Sequence, residues 1–98
     1  MISIKICKRE DGSFSSVLIQ GHTGGEVCAA VSALSQSCGR QLEAMKSGKI
    51  SIDESGVCLI DDIRKSKPAV AVADTLINGL EAIARQNKYS VQIMYLWE

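Results

Sequence analysis

The chain contains one histidine, His22, and four cysteines, of which Cys28 follows that histidine most closely. A thiolate is a strong nucleophile, and an imidazole within hydrogen-bond reach takes the thiol proton and later returns it to a leaving group. The pair therefore predicts acyl-transfer chemistry, with Cys28 as nucleophile and His22 as base. The alternatives are a loop histidine that hydrogen-bonds backbone and a buried core cysteine, since free cysteine is among the most buried residue types.

The predicted first helix gives Cys28 a different environment from Cys38. At about 100° per residue, Cys38 falls in the middle of the apolar face, whereas Cys28 lies on its flank with Ser32, Ser35 and Gly39. A side chain on that flank is accessible from outside. Cys28 also lies in the first or second helical turn, where unpaired backbone N–H groups favour thiolate over thiol. The remaining cysteines are predicted to be structural: Cys7, Cys38 and Cys58.

Small and polar residues around this pair are candidate supporting groups. Gly21, Gly24 and Gly25 allow the backbone to approach a bound chain, so that N–H groups near Cys28 could form an oxyanion hole. The alternative is a plain flexible connection. Ser32, one turn after Cys28, is predicted to hydrogen-bond either the site or the helix carbonyl at position 28.

Apolar periodicity predicts the order strand, strand, helix, strand, strand, helix, strand. The strands are predicted over 2–6, 14–20, 50–52, 57–60 and 89–95, and the helices over 26–47 and 68–86. Either a capping box of Thr23 with Glu26, or Gly25 as cap, would begin the first helix, and Gly48 would end it. The economical packing is an α+β two-layer sandwich, in which two helices cover one mixed or antiparallel sheet of about five strands. One domain would span residues 1–98.

The composition narrows the class of protein. Eleven Lys and Arg balance eleven Asp and Glu, so the chain lacks the basic surplus of a phosphate-binding protein, and we expect no direct nucleic-acid contact. No apolar run is long enough to cross a bilayer, and we expect a cytoplasmic protein with no membrane partner. The cysteine and histidine spacings match no zinc or thioredoxin-like motif, and we expect neither a metal nor an organic cofactor.

Gly21-His22 after the second strand, and the run Cys28-Ala29-Ala30-Val31-Ser32 at the start of a helix, form an unusual combination in a short chain. This combination resembles the ribosomal-processing cysteine protease family, Prp. The resemblance implies a homodimeric bacterial cysteine endopeptidase that removes a short N-terminal extension from a large-subunit ribosomal protein, the twenty-seventh in the usual naming. It also implies that Cys28 is the nucleophile, His22 the base and Ser32 a supporting residue.

Two features depart from the family pattern. Many members have a longer loop between the His and the Cys, whereas here only residues 23–27 intervene. Many also carry Asp three residues before the Cys, where this chain has Gly25 followed by Glu26. Glu26 would then either orient His22 or only cap the helix. The short loop bears on substrate recognition more than on chemistry.

A second interpretation keeps the fold without the chemistry. The chain would then be a noncatalytic binding module that associates with a ribosomal protein or with the ribosome, and Cys28 would behave as an ordinary thiol. If the chain is a protease, alkylating agents are expected to react faster with Cys28 than with the other three cysteines. A redox sensor is disfavoured, because no second cysteine lies close to Cys28 in sequence.

Overall fold

The computed structural model describes residues 1–98 and contains five strands and two helices in the predicted order. The elements are β1 (Ile2–Lys8), β2 (Phe14–Gly21), α1 (Gly25–Ala44), β3 (Lys49–Ile52), β4 (Cys58–Asp61), α2 (Lys67–Gln86) and β5 (Val91–Trp97). The five strands form one sheet, of mixed direction, and the helices pack on it. The predicted α+β arrangement is confirmed.

The first strand, β1, is central to the sheet, whose order is β3-β4-β2-β1-β5. It pairs antiparallel with β2 and parallel with β5, so that Ile2 has Gly21 on one side and Val91 on the other. Parallel strands need a long crossover connection, and each helix supplies one. α1 connects β2 to β3, and α2 connects β4 to β5.

The core lies between the helices and one face of the sheet. Alternation along β1 buries Ile2, Ile4 and Ile6, as the period-two pattern predicts. The helices contribute an apolar layer that includes Val31, Cys38, Leu42, Leu76, Ile77 and Leu80. Neither helix is both long enough and apolar enough to cross a membrane.

Two close approaches fix the position of α1. A Cβ built on Gly39 would lie 2.5 Å from Ile50 Cδ1. Only glycine at position 39 therefore allows α1 to lie this close to β3. On the other side, a Cβ on Gly79 of α2 would lie 2.5 Å from Leu34 Cδ2. Both contacts lock the helix that carries Cys28 against its neighbours.

The start of α1 differs from both predicted caps. Gly24 is the N-cap, with φ 75°, and no side chain makes a capping hydrogen bond. The capping box of Thr23 with Glu26 is therefore wrong, and so is Gly25 as the cap, because Gly25 is already the first helical residue. The positive φ of Gly24 turns the preceding loop back over the end of the helix.

The end of α1 was also predicted too late in the sequence. The helix stops at Ala44, because Lys46 adopts φ 56° and reverses the chain there. The N–H of Ser47 donates to the Leu42 carbonyl at 2.8 Å, which completes a Schellman-type ending. Gly48 was predicted to end the helix, but Lys46 occupies that left-handed position instead.

Candidate active site

A cleft of about 160 Å³ lies between the first turns of α1 and the β3–β4 hairpin. His22 and Cys28 line one wall, and Ile52 and Gly56 of the hairpin line the other. The rest of the lining is mainly an apolar floor and a polar rim: Ile2, Ile19, Gly21, Val31, Ser32, Ser35, Gln36 and Cys58. The structure therefore brings the candidate residues at positions 21, 22, 28 and 32 to one cleft.

Cys28 lies in the first turn of α1 and is half-buried. Its Sγ accepts hydrogen bonds from the backbone N–H of Thr23 at 3.4 Å and of Gly24 at 3.2 Å. Backbone N–H groups that converge on one atom form an anion-binding nest, and donation to a sulfur anion stabilises its charge. The loop amides, rather than a side-chain cap, therefore define the electrostatic surroundings of this sulfur.

The imidazole of His22 faces the same sulfur from the loop. His22 Nδ1 lies 4.0 Å from Cys28 Sγ, and the ring is exposed to solvent. Hydrogen bonds between catalytic groups are often long without substrate and shorten when substrate binds. The other ring nitrogen, Nε2, points towards the hairpin, where a Cβ on Gly56 would lie 4.0 Å away. Nδ1 serves as a base only in the tautomer that carries its proton on Nε2.

The backbone that carries His22 is held by β1. The amino group of Met1 donates to the His22 carbonyl at 2.7 Å. Gly21, with φ 90°, leaves no space for a side chain, since a Cβ there would lie 2.2 Å from the Met1 carbonyl oxygen. Position 21 therefore requires glycine both for its backbone conformation and for the close approach of β1.

Ser32 and Glu26 take different positions around the cleft. Ser32 is exposed one turn after Cys28 and lines the rim. Glu26 is exposed in the first turn of α1, and the hydrogen bonds that join the loop, His22 and Cys28 do not include its carboxylate. The geometry thus gives Ser32 access to a bound chain and gives Glu26 no contact that orients the imidazole.

The other cysteines have distinct environments, and all four are free. Burial raises the pKa of the Cys38 thiol in the core. Burial also raises the pKa of Cys58, although a hydrogen bond with Ser35 opposes that effect. Cys58 was predicted to be structural, yet it also lines the floor of the cleft. No group of three or more His, Cys, Asp or Glu side chains is placed to hold a metal ion.

Sequence reasoning missed the wall that the hairpin supplies. Ile52, Gly56 and Cys58 are distant from Cys28 in sequence, and they reach the cleft only because β4 pairs with β2 and β3 pairs with β4. Gln36, two turns along α1 from Cys28, was missed as well. Its position on the Cys28 and Ser32 side of the helix was the one signal that could have identified it.

A thiol, an imidazole and backbone donors in one cleft of a two-layer α+β fold define the cysteine hydrolase class of site. The family model for cysteine protease Prp matches residues 1–92. The chain therefore belongs to the cysteine protease Prp family and is a cysteine protease. A comparison with curated proteins found no match.

Solved structures of similar fold cover almost the whole chain. A Streptococcus mutans protein has a TM-score of 0.82 and 23% identity, and the match covers 100% of this chain and 96% of that one. The ribosomal processing protease Prp of Staphylococcus aureus, with a covalently linked product peptide, has a TM-score of 0.87 and 22% identity, covering 98% and 100%. Its complex with a substrate peptide has a TM-score of 0.86 and 21% identity, with the same coverage. At these identities the similarity establishes the fold.

Proposed function

We propose that this chain is a cytoplasmic processing endopeptidase, with residues 1–98 as one protease domain. It removes the N-terminal extension of a bacterial large-subunit ribosomal protein, the twenty-seventh, so that ribosomes assemble correctly. Cys28 is the nucleophile and His22 is the general base and acid. Neither a metal nor an organic cofactor takes part.

One observation carries the proposal: Cys28 Sγ lies 4.0 Å from His22 Nδ1 and receives two backbone hydrogen bonds on the wall of an open cleft. Family membership supports the reaction class. The Staphylococcus aureus structures support a peptide substrate, because that similar fold binds a substrate peptide and a covalently linked product peptide.

In the first half of the reaction, His22 Nδ1 takes the Cys28 proton and the thiolate attacks the carbonyl carbon of the scissile bond. The carbonyl oxygen gains negative charge as the carbon becomes tetrahedral. When Sγ bonds to that carbon, the N–H groups of Thr23 and Gly24 no longer need to donate to sulfur. Both amides are then available to the oxyanion, and stabilising such a charge is commonly the largest catalytic contribution.

In the second half, the imidazolium of His22 donates its proton to the leaving amine, and the C–N bond breaks to leave a thioester on Cys28. Water then attacks the thioester carbonyl while His22 takes one of its protons. The proton returns to sulfur when the thioester bond breaks, and the carboxylate product departs. Ser32, on the rim one turn away, supports the site by hydrogen-bonding the bound chain.

The apolar floor of the cleft favours an apolar substrate side chain next to the scissile bond. Ile2, Ile19 and Val31 form that floor, and Ile52 is exposed at the opposite wall. Burying an apolar side chain there contributes about 25 cal/mol per Å² removed from water. An extended apolar segment would therefore bind more tightly than a charged one.

The proposal is tested by mixing the purified protein with the precursor ribosomal protein of the same source and weighing the products by mass spectrometry. The expected result is a single cut near the precursor N-terminus. Cys28→Ala and His22→Ala are expected to abolish it, and Cys7→Ala, at a half-buried cysteine on β1, is the matched control that retains it.

Two results would contradict the proposal. An uncut precursor after prolonged incubation with wild-type protein would favour the noncatalytic binding module, particularly if Cys28 reacts no faster than an ordinary thiol. A cut that persists in Cys28→Ala would remove this residue from the chemistry.

A further inference from the structure

Gln36 lies two turns along α1 from Cys28, and its half-buried side chain lines the cleft. Its Oε1 accepts a hydrogen bond from Arg40 Nη2 at 3.5 Å. Because Arg40 lies one turn further from Cys28, this contact assigns the oxygen to the side of the amide that faces away from the cysteine. The Nε2 group donates to no group of the protein, and every buried side-chain nitrogen or oxygen has a partner. The two Nε2 donors are therefore accessible to a bound molecule.

The polar groups on the cleft side of α1 recur at a regular spacing. Cys28, Ser32 and Gln36 follow one another at intervals of four residues, and all three line the cleft. Each interval measures about 6 Å along the helix axis. In an extended peptide, the backbone groups that point to one side recur every second residue, or about every 6.6 Å. The two repeats differ by only about 1 Å over two intervals, which a flexible glutamine side chain accommodates.

An extended chain in the cleft lies between the α1 wall and the hairpin wall, which Ile52 and Gly56 form. Its side chains alternate between two opposite directions, and its N–H and C=O groups point at right angles to them. If alternate side chains pack on the floor of Ile2, Ile19 and Val31, the backbone groups face the two walls. The α1 wall therefore meets main-chain groups of the substrate, and donors on that wall fit its carbonyl oxygens.

The position of His22 gives the direction of the bound chain. In the proposed reaction His22 donates a proton to the leaving amine, and it lies in the loop that precedes α1. Ser32 and Gln36 lie further along the helix, on the other side of Cys28. The leaving amine is then on the loop side of Cys28. The part of the substrate N-terminal to the cut extends past Ser32 towards Gln36.

We propose that Gln36 is a substrate-binding residue whose side-chain amide donates to a main-chain carbonyl about four residues before the scissile bond. This role rests on the proposed function and specifies how the same cleft binds its peptide. The span from Cys28 to Gln36 is about 12 Å, which an extended chain covers in about four residues. Because the contact is to the main chain, Gln36 selects substrates by the length of their extension and not by the side chain at that position.

The first test measures peptide binding without cleavage. Cys28→Ala protein is mixed with peptides that span the cut in the precursor, carry a fluorophore at the C-terminus and are shortened one residue at a time from the N-terminus. Fluorescence polarisation is expected to show an affinity step of about fivefold, the contribution of one neutral hydrogen bond, when the chain no longer reaches Gln36. A further Gln36→Met substitution keeps the side-chain length without the donors and is expected to remove this step. Gln41→Met, on the α2 side of the same helix, is the matched control and is expected to retain it.

The second test identifies the group that Gln36 binds. An ester in place of one peptide bond weakens the carbonyl as an acceptor and removes the next N–H, but leaves every side chain unchanged. Moved along the peptide, the ester is expected to lower affinity severalfold at one position about four residues before the cut, and only in protein that retains Gln36. A length step that survives Gln36→Met, equal affinity at every length, or no measurable binding would overturn the proposal.

Cleavage of the whole precursor by wild-type protein is measured in parallel, so that this proposal and the proposed function can fail separately. An uncut precursor, together with a length step that depends on Gln36, would contradict the peptidase and support the peptide contact. A cut precursor, together with a kcat/KM that is the same in wild type and Gln36→Met for peptides of every length, would support the peptidase and overturn the role of Gln36.

Discussion

Cys28 and Cys38 lie on the same helix, yet the fold gives them opposite environments. Cys28, in the first turn, receives two backbone hydrogen bonds and faces an imidazole. Cys38, in the middle of the helix, is 9% exposed, and burial raises its pKa. The thiol has the same intrinsic chemistry at both positions. We therefore expect the reactivity of each thiol to depend on whether the helix places it beside the loop or in the core.

The largest expected effect separates the two cysteines by substitution. Cys28→Ala is expected to lower kcat/KM at least about 10³-fold, because it removes the proposed nucleophile, without loss of folding. Cys38→Ala is expected to retain activity and to lower the free energy of unfolding by about 1 kcal/mol, because it leaves a small cavity in the core. Steady-state cleavage of the precursor and urea unfolding measure the two quantities. Equal loss of activity in both variants would contradict the comparison.

The next effect concerns the backbone that aligns His22. Gly21→Ala is expected to lower the free energy of unfolding by about 3 kcal/mol and to reduce activity, since the new Cβ would collide with the Met1 carbonyl. Gly24→Ala places its Cβ in open space, so only the backbone conformation (φ 75°, ψ 168°) opposes it, and it is expected to cost about 2 kcal/mol. Urea unfolding and cleavage rates check both variants. If the two substitutions cost the same, the close approach of β1 does not constrain position 21.

Alkylation rates sharpen the contrast without any substitution. At neutral pH, iodoacetamide is expected to label Cys28 at least about 10-fold faster than Cys38 or Cys58, because those two are buried and their raised pKa values keep them protonated. Raised pKa values mean that the stability these thiols contribute is present at neutral pH and is lost as pH rises above about 9, the ordinary value. Labelling of both should then increase steeply above that pH, as followed by peptide mass spectrometry. In denaturing urea the rates of all cysteines should converge.

The smallest expected effect is a difference between two similar turns, the Asp53 turn beside the cleft and the Asp11 turn far from it. Asp53 accepts hydrogen bonds from Ser55 and Val57. Asp11 accepts from Ser13 in the β1–β2 turn. Asp53→Ala is expected to raise KM several-fold, because the turn carries Gly56 opposite His22, whereas Asp11→Ala is expected to leave KM unchanged. Asp53→Asn, which keeps an acceptor but loses the charge, should restore KM only in part.

The pH dependence of the same turn follows from its hydrogen bonds. Donation from Ser55 and Val57 holds the pKa of Asp53 below its usual value. A lowered pKa means that the stabilisation is present above the ordinary carboxylate pKa and is lost as pH falls through the lowered value. KM should therefore stay constant down to acidic pH and rise only below the ordinary carboxylate range. A KM that rises already near pH 6 would implicate another group.

The sequence predicted the order of strands and helices well. Alternation along β1 and the helical spacing of apolar residues depend only on residues close together in the chain. The position of β1 between β2 and β5 was not predicted. Alternation tells which face of a strand is buried but not which strands are neighbours. Lys46 was missed for a related reason, since a lysine rarely adopts the left-handed conformation and leaves no residue-type signal for a helix end.

The candidate site likewise has a part that the sequence predicted and a part that it did not. The sequence predicted that His22, Cys28, Ser32 and Gly21 belong together, and they line one cleft. The donors to sulfur are backbone groups of Thr23 and Gly24, and backbone groups carry no residue-specific signal. The hairpin wall depends on pairing between distant strands, which a single sequence does not reveal.

The pairing of the first strand with the last has a consequence for biosynthesis. Ile2 forms part of the cleft floor, and its neighbour on the β5 side is Val91. During translation, one side of β1 stays unpaired until β5 has been synthesised. Closing the long loop between β1 and β5 is slow and entropically costly. The strand that carries Ile2 to the cleft floor therefore gains its second neighbour only after β5 has left the ribosome exit tunnel.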